Sequence, residues 1–261
     1  MDGRAYATAP LAPVNATLRQ MFGTDDLPGL VPGLFVDDER GWLPATELIN
    51  GEDHLPDLLA AAQRSWQSTP HAAAALFWKA YTYWLALPAV VGWASARRVP
   101  LLRASDILVQ IDADRAALTL GLRRTTTVAV LPSDPLALSG LPEVRVLTDE
   151  TELLRALRES LLDEHLTPLL DAIHTQVRVG ARTLLGSVAS GVAYGVLRAA
   201  DGLPGAAADN VGTLLSALDL DDLVDLVPGP AGEPTVQRKT CCLAFTLPQP
   251  RVCKGCCIRS N

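Results

Sequence analysis

The first 240 residues contain no cysteine. A body without thiols cannot rely on the cross-links that hold small secreted domains together, so its stability must come from an apolar core. Lysine is nearly as scarce, with three against 19 arginines, and aromatic residues make up only 5% of a chain that is 49% hydrophobic. Leucine, alanine and valine must therefore fill that core. No apolar run reaches the roughly 20 residues that span a bilayer. The longest uncharged helical stretch, Ala80–Ala96, is 17 residues, follows Lys79 and contains Pro88. It reads as a buried core helix, and no stable membrane insertion is expected. Basic residues number 22 against 29 acidic, a net charge of −7, which excludes the basic footprint of a nucleic-acid-binding domain. The opening Met1-Asp2-Gly3-Arg4 leads into alanines and prolines rather than a continuous apolar stretch, so a cytoplasmic location is expected. Phosphate-cradling loops of the Walker A or G-x-G-x-x-G type are absent, as is a G-x-S-x-G nucleophile elbow.

What is present is mostly helical pattern. A short helix is expected near Asn15–Phe22, a longer one over Asp53–Trp66, and an apolar one over His71–Arg97 with a break at Pro88. Ile107–Ile111, Ala117–Leu122 and Thr126–Leu131 are rich in Val, Ile, Leu and Thr and read as a small antiparallel meander, with Val144–Leu147 as a further strand. Helix resumes at Asp149, is interrupted at Thr167-Pro168, and continues through Val177. In the helix over Ala181–Arg198, Gly186, Ser190, Gly191 and Gly195 line up small residues, which predicts the close approach of a neighbouring backbone or of a ligand, helix packing being the plainer reading. A last helix is expected over Asn210–Leu226. The whole reads as an α+β, helix-dominated single domain over residues 1–227, then a Pro/Gly linker over 228–234, then a separate C-terminal segment over 235–261.

That segment differs from everything before it. It holds five basic residues and no acidic one, leaving 17 basic and 29 acidic in the remainder, a net −12. It also holds every cysteine: Cys241, Cys242, Cys253, Cys256 and Cys257. Crowded thiols in a reducing compartment read first as a metal site. Two cysteine pairs joined by a loop can supply four thiolates to a tetrahedral zinc or to an iron–sulfur cluster, and a thiol redox switch is the third alternative. The adjacent Cys241-Cys242 pair weighs against zinc. Neighbouring Cα atoms are about 3.8 Å apart, and in an extended strand the side chains diverge, so chelating one small ion with both is strained.

The arrangement C-C-x10-C-x2-C after Arg238-Lys239-Thr240 resembles the terminal motif of the FhuF-like ferric siderophore reductases. Two further stretches, His165-Leu166-Thr167-Pro168-Leu169 and Arg182 through Ser190, look like helical segments of that family. The resemblance implies a [2Fe-2S] cluster held by Cys241, Cys242, Cys253 and Cys256, with Cys257 standing where the family often has another residue. It also implies a ferric siderophore as the substrate, reduced by one electron. The chain has no nucleotide-binding loop of its own, so a separate electron donor of ferredoxin or flavoprotein type is expected. An iron–sulfur sensor without chelate turnover is the alternative. Five residues are candidate substrate contacts: His165 at the edge of an apolar helical face, Arg178 and Arg182 one turn apart on a continuous helix, and Lys239 and Lys254 among the basic residues of the tail.

Overall fold

The computed structural model describes residues 9–112, 117–253 and 255–258. Its centre is a single long helix. The helices are α1 (Ala12–Phe22), α2 (Ala45–Asn50), α3 (His54–Trp66), α4 (Pro70–Ala96), α5 (Glu150–Arg158), α6 (Thr167–Gln176), α7 (Ala181–Ala199) and α8 (Ala207–Ala217). Thr69 caps α4 by accepting the Ala72 N–H, and Pro70 occupies the first turn, where its missing N–H costs nothing. The helix is apolar on all sides because neighbours cover it on all sides. Pro88 lies inside it without ending it, contrary to the expected break. At its far end Arg97 turns into the left-handed region, stacks over the Trp93 ring at 4.1 Å and donates to the Trp93 carbonyl at 2.8 Å.

Helix α7 packs along α4 through its small residues. A Cβ on Gly191 would sit 3.5 Å from the Tyr83 backbone, and one on Gly195 would sit 3.1 Å from Leu87. Glycine costs about 1 kcal/mol in a helix interior, and here it purchases the close approach of two helices. The Trp78 indole fastens them by donating to the Leu184 carbonyl at 2.8 Å, with the ring fully buried. By length and composition the segment Ala181–Gly202 is the one described helix apolar enough to cross a membrane, and 61% of its apolar 18-residue window is buried inside the fold. The sequence had pointed instead to the α4 segment.

The strands are β1 (Leu30–Phe35), β2 (Leu43–Pro44), β3 (Val99–Pro100), β4 (Ile107–Asp112), β5 (Ala117–Leu122), β6 (Val128–Val130), β7 (Val144–Val146), β8 (Val224–Pro228) and β9 (Pro234–Arg238). The expected three-stranded meander is only half formed. Strands β4 and β5 pair antiparallel, from Ile107–Leu122 to Asp112–Ala117, inside a mixed sheet of order β1-β5-β4-β2. Strand β6 leaves for a second sheet, antiparallel to β3 and parallel to β7. The turn after β5 makes the exchange: Arg123 donates its N–H to the Asp106 carbonyl and Thr126 to the Arg123 carbonyl, ending the ladder. All three β6 residues are buried, as suits a strand covered on both faces.

Two other junctions also differ from expectation. Thr167-Pro168 does not interrupt the helix: a π-helical stretch, Glu159–Leu166, joins α5 to α6 through helical backbone. The wider turn lies just before Pro168, whose ring and missing N–H are incompatible with a regular α turn. The 228–234 stretch is not a linker between bodies. It closes the antiparallel β8–β9 hairpin, with Gly229 donating to the Glu233 carbonyl at 2.6 Å and Gly232 taking φ +86°. The cysteine segment is thereby held to the main body.

His165 is a core residue rather than a substrate contact. It is fully buried, its Nε2 lies 2.7 Å from the Tyr81 hydroxyl and its Nδ1 lies 2.8 Å from the Leu102 carbonyl, so both ring nitrogens are engaged inside the protein. Burial pushes its pKa down from 6.5 to about 4. The unfolded chain then binds the proton first as pH falls, so this contribution is complete above pH 6.5 and is lost toward pH 4. The full span corresponds to about 3 kcal/mol. Urea unfolding from pH 7 to pH 4 should show His165→Gln less stable than wild type at neutral pH, with the gap closing by about that amount in acid. A gap independent of pH would contradict the assignment.

Candidate metal centre

Strand β9 leads directly into the cysteines and then serves as the surface on which they close. Alternation along a strand sends neighbouring side chains to opposite faces, and Arg238 and Lys239 follow that rule. Arg238 turns inward and is 2% exposed, whereas Lys239 turns outward to pair with Asp225 at 2.8 Å. The chain leaves through Cys241 and Cys242, passes a tight turn over Ala244–Thr246, and returns along β9. Arg251 N–H donates to the Ala244 carbonyl at 3.1 Å and closes the loop. Arg238 N–H donates to the Gly255 carbonyl at 2.9 Å, and the Gln237 amide donates to the Cys256 carbonyl at 3.0 Å.

Two glycines permit this docking. A Cβ on Gly255 would fall 1.7 Å from the Val236 carbonyl oxygen, so the returning segment lies flush on β9. A Cβ on Gly186 would fall 1.9 Å from Thr240 Oγ1, so α7 receives the start of the segment where its small face begins. Sequence reasoning found the small residues and weighed helix packing against a ligand's approach, but did not foresee the docking of the cysteine segment there.

All five cysteines are free thiols, with Cys242 and Cys256 buried and the others half-buried. Cys242 and Cys253 form a hydrogen-bonded pair. That contact, assisted by the Ala244 N–H and by the charges of Lys79 and Arg238, holds the Cys242 thiol down at about 5 against the cost of burial, while Cys253, as donor, is pushed up. Cys241 Sγ accepts the Leu243 N–H at 3.3 Å. Cys257 lies against Cys241 and is pushed up by burial and by its sulfur neighbours. Among the described residues the sulfurs form these contacts rather than a group of three or more poised around a metal ion.

Arg238 is the feature that marks the place. Its Nη2 donates to Ser187 Oγ at 3.0 Å, but among the described residues its buried Nε and Nη1 have no partner, and neither has the buried Thr240 Oγ1. A buried guanidinium is costly without an opposite charge. Among the described residues no carboxylate pairs with it, so sulfur anions are the counter-charge at hand. The soft donor set and the unspent cation both fit a thiolate-held metal group. Sequence reasoning counted Arg238 among the tail's charges without singling it out, although the alternation at Arg238-Lys239 signals that one of the two faces inward.

The other candidate residues are scattered. Arg182 opens α7 and pairs with Asp222 at 2.6 Å on the surface, whereas Arg178 is exposed in the connection before it. They share no continuous helix, because α6 ends at Gln176 and α7 begins at Ala181. His165 lies in the core, and Lys254 lies outside the described residues.

The model of one family, the ferric iron reductase FhuF-like transporters, matches residues 75–225. The chain belongs to this family. The match runs from the start of α4 into β8 and stops before the cysteines. Members are ferric iron reductases by family description, which places the chain among oxidoreductases at that level. No curated protein matches the chain. Among solved structures, the chain is similar to the aerobactin synthetase IucA from a hypervirulent pathotype of Klebsiella pneumoniae, at 20% identity and a TM-score of 0.48. That likeness covers 76% of this chain but only 37% of the synthetase, and transfers neither site nor activity.

The close approach at Gly255 can be tested in the metal-free protein. Cys242 and Cys256 should react slowly with a thiol reagent, and Gly255→Ala should raise their labelling rate by about tenfold or more, since a backbone clash cannot be relieved by side-chain motion. Unchanged labelling would show that the returning segment does not depend on that contact.

Proposed function

We propose that this chain reduces ferric siderophores by one electron in the cytoplasm, using a [2Fe-2S] cluster held by Cys241, Cys242, Cys253 and Cys256. The observation that supports the reading best is the buried, half-partnered Arg238 beneath five thiols, in a chain of ferric reductase family. When bound, such a cluster supplies single electrons at a potential set by its surroundings.

The chain's own residues supply the rest. Arg238 offsets thiolate charge from below, and buried positive charge makes an adjacent metal group easier to reduce. The Leu243 and Ala244 N–H groups aim at Cys241 and Cys242 and hold those sulfurs in place. The substrate's chemistry favours a one-electron step. Siderophore oxygens are hard donors matched to Fe(III), and reduction to Fe(II) weakens those contacts, so the metal is released with the chelator intact. One electron enters from a separate donor protein of ferredoxin or flavoprotein type, and one leaves to the ferric chelate.

Protein purified without oxygen should carry about two irons and two sulfides per chain and be red-brown. Cys256→Ser should lose the cluster or alter its spectrum strongly, since a serine oxygen is a harder and poorer partner. Cys257→Ser should keep both the cluster and chelate reduction. One zinc and no sulfide would overturn the cluster, and the reverse pattern in the two variants would move the fourth ligand to Cys257.

A further inference from the structure

A cavity of about 220 Å³ opens between α4 and α7, directly beside the cysteine segment. Its walls are largely apolar, with Lys79 and Tyr83 on the α4 side and Ser187, Ser190, Gly191 and Tyr194 on the α7 side. Two of these residues also touch the cysteine segment or its buried arginine. The Tyr194 hydroxyl lies against Gly255, between Cys253 and Cys256. Ser187 Oγ accepts from the buried Arg238.

We propose that this groove seats one arm of an anionic ferric chelate and brings its iron to the cysteines, an inference that rests on the reductase reading and names its substrate site. Size sets the first limit. Pockets that enclose a whole drug-sized ligand run to roughly 300–1,000 Å³, so this one takes a single metal-binding arm and leaves the bulk of the chelate in solvent. Charge sets the second. Lys79 is the only lysine before the tail, and among the described residues it has no ion-pair partner. Arg198 stacks over the Phe22 ring at 4.0 Å, Arg238 lies behind Ser187, and among the described residues no acidic side chain lines the cavity. Gly191 and Ala80 are the small residues on the two walls of the groove. Apolar walls with a cation at the rim suit a flat, negatively charged arm such as a catecholate better than a neutral one.

Gallium(III) complexes are redox-inert stand-ins, so they separate seating from reduction. Wild-type protein should bind a gallium tris-catecholate and bind an uncharged gallium tris-hydroxamate more weakly. Lys79→Gln should weaken the anionic complex by about tenfold, the loss of one charge-assisted contact, and Ala80→Leu, on the half-buried α4 wall, should weaken both complexes by filling the groove. Iron and sulfide contents should stay at wild-type levels in each variant. No binding by the wild type, or equal binding by wild type and both variants, would overturn the groove. The reductase reading stands or falls separately, on whether the wild type releases Fe(II) from the ferric forms.

Discussion

Arg238 places a full positive charge beneath the cysteine segment with one protein hydrogen bond to share it, the contact to Ser187. Much of the surrounding architecture serves that arrangement. Strand β9 carries Arg238 inward, the β8–β9 hairpin fixes the strand to the body, and the small face of α7 lets Thr240 and Ser187 come close enough to close over it. A guanidinium so placed would be a liability without anions near it, and the cysteines are the groups that provide them.

Behind this lies the contact between α4 and α7. The two helices form the common wall of the fold, locked by the buried Trp78 indole and by glycines that meet Tyr83 and Leu87. The same glycine face therefore does two things along its length: near its centre it packs on α4, and near its start it receives the metal segment. The family match covers the first of these and not the second, which is why the family is established by the helical body while the cluster remains a reading of the tail's own chemistry.

Helical periodicity and the cysteine spacing were legible in the sequence because both are local. Leu153, Leu157 and Leu161 recur at helical spacing, and five thiols in one short stretch need no tertiary information to be noticed. Apart from the helix breaks expected at Pro88 and Thr167-Pro168, the failures were questions of what a local segment meets elsewhere. Thr126–Leu131 has strand composition, but nothing local says it pairs with Val99-Pro100 rather than with Ala117–Leu122. Pro228–Pro234 has a linker's composition, and a hairpin loop needs the same residues; only the ladder from Val224–Arg238 to Pro228–Pro234 distinguishes them. Arg178 and Arg182 are four apart in sequence, but the intervening helix end sends one to a loop and the other to Asp222.

The central claim is that electrons pass from this chain's metal group to a ferric chelate, and one measurement addresses it directly. The protein is reduced without oxygen, freed of excess reductant and mixed with ferric chelates of catecholate, hydroxamate and citrate type, while its visible spectrum and Fe(II) trapped by a chromogenic chelator are followed together. Reoxidation of the protein with about one Fe(II) released per electron lost is expected with at least one chelate, as one-electron chemistry requires. Reduced protein that stays reduced in the presence of every chelate, or that reoxidises without releasing Fe(II), would contradict the account.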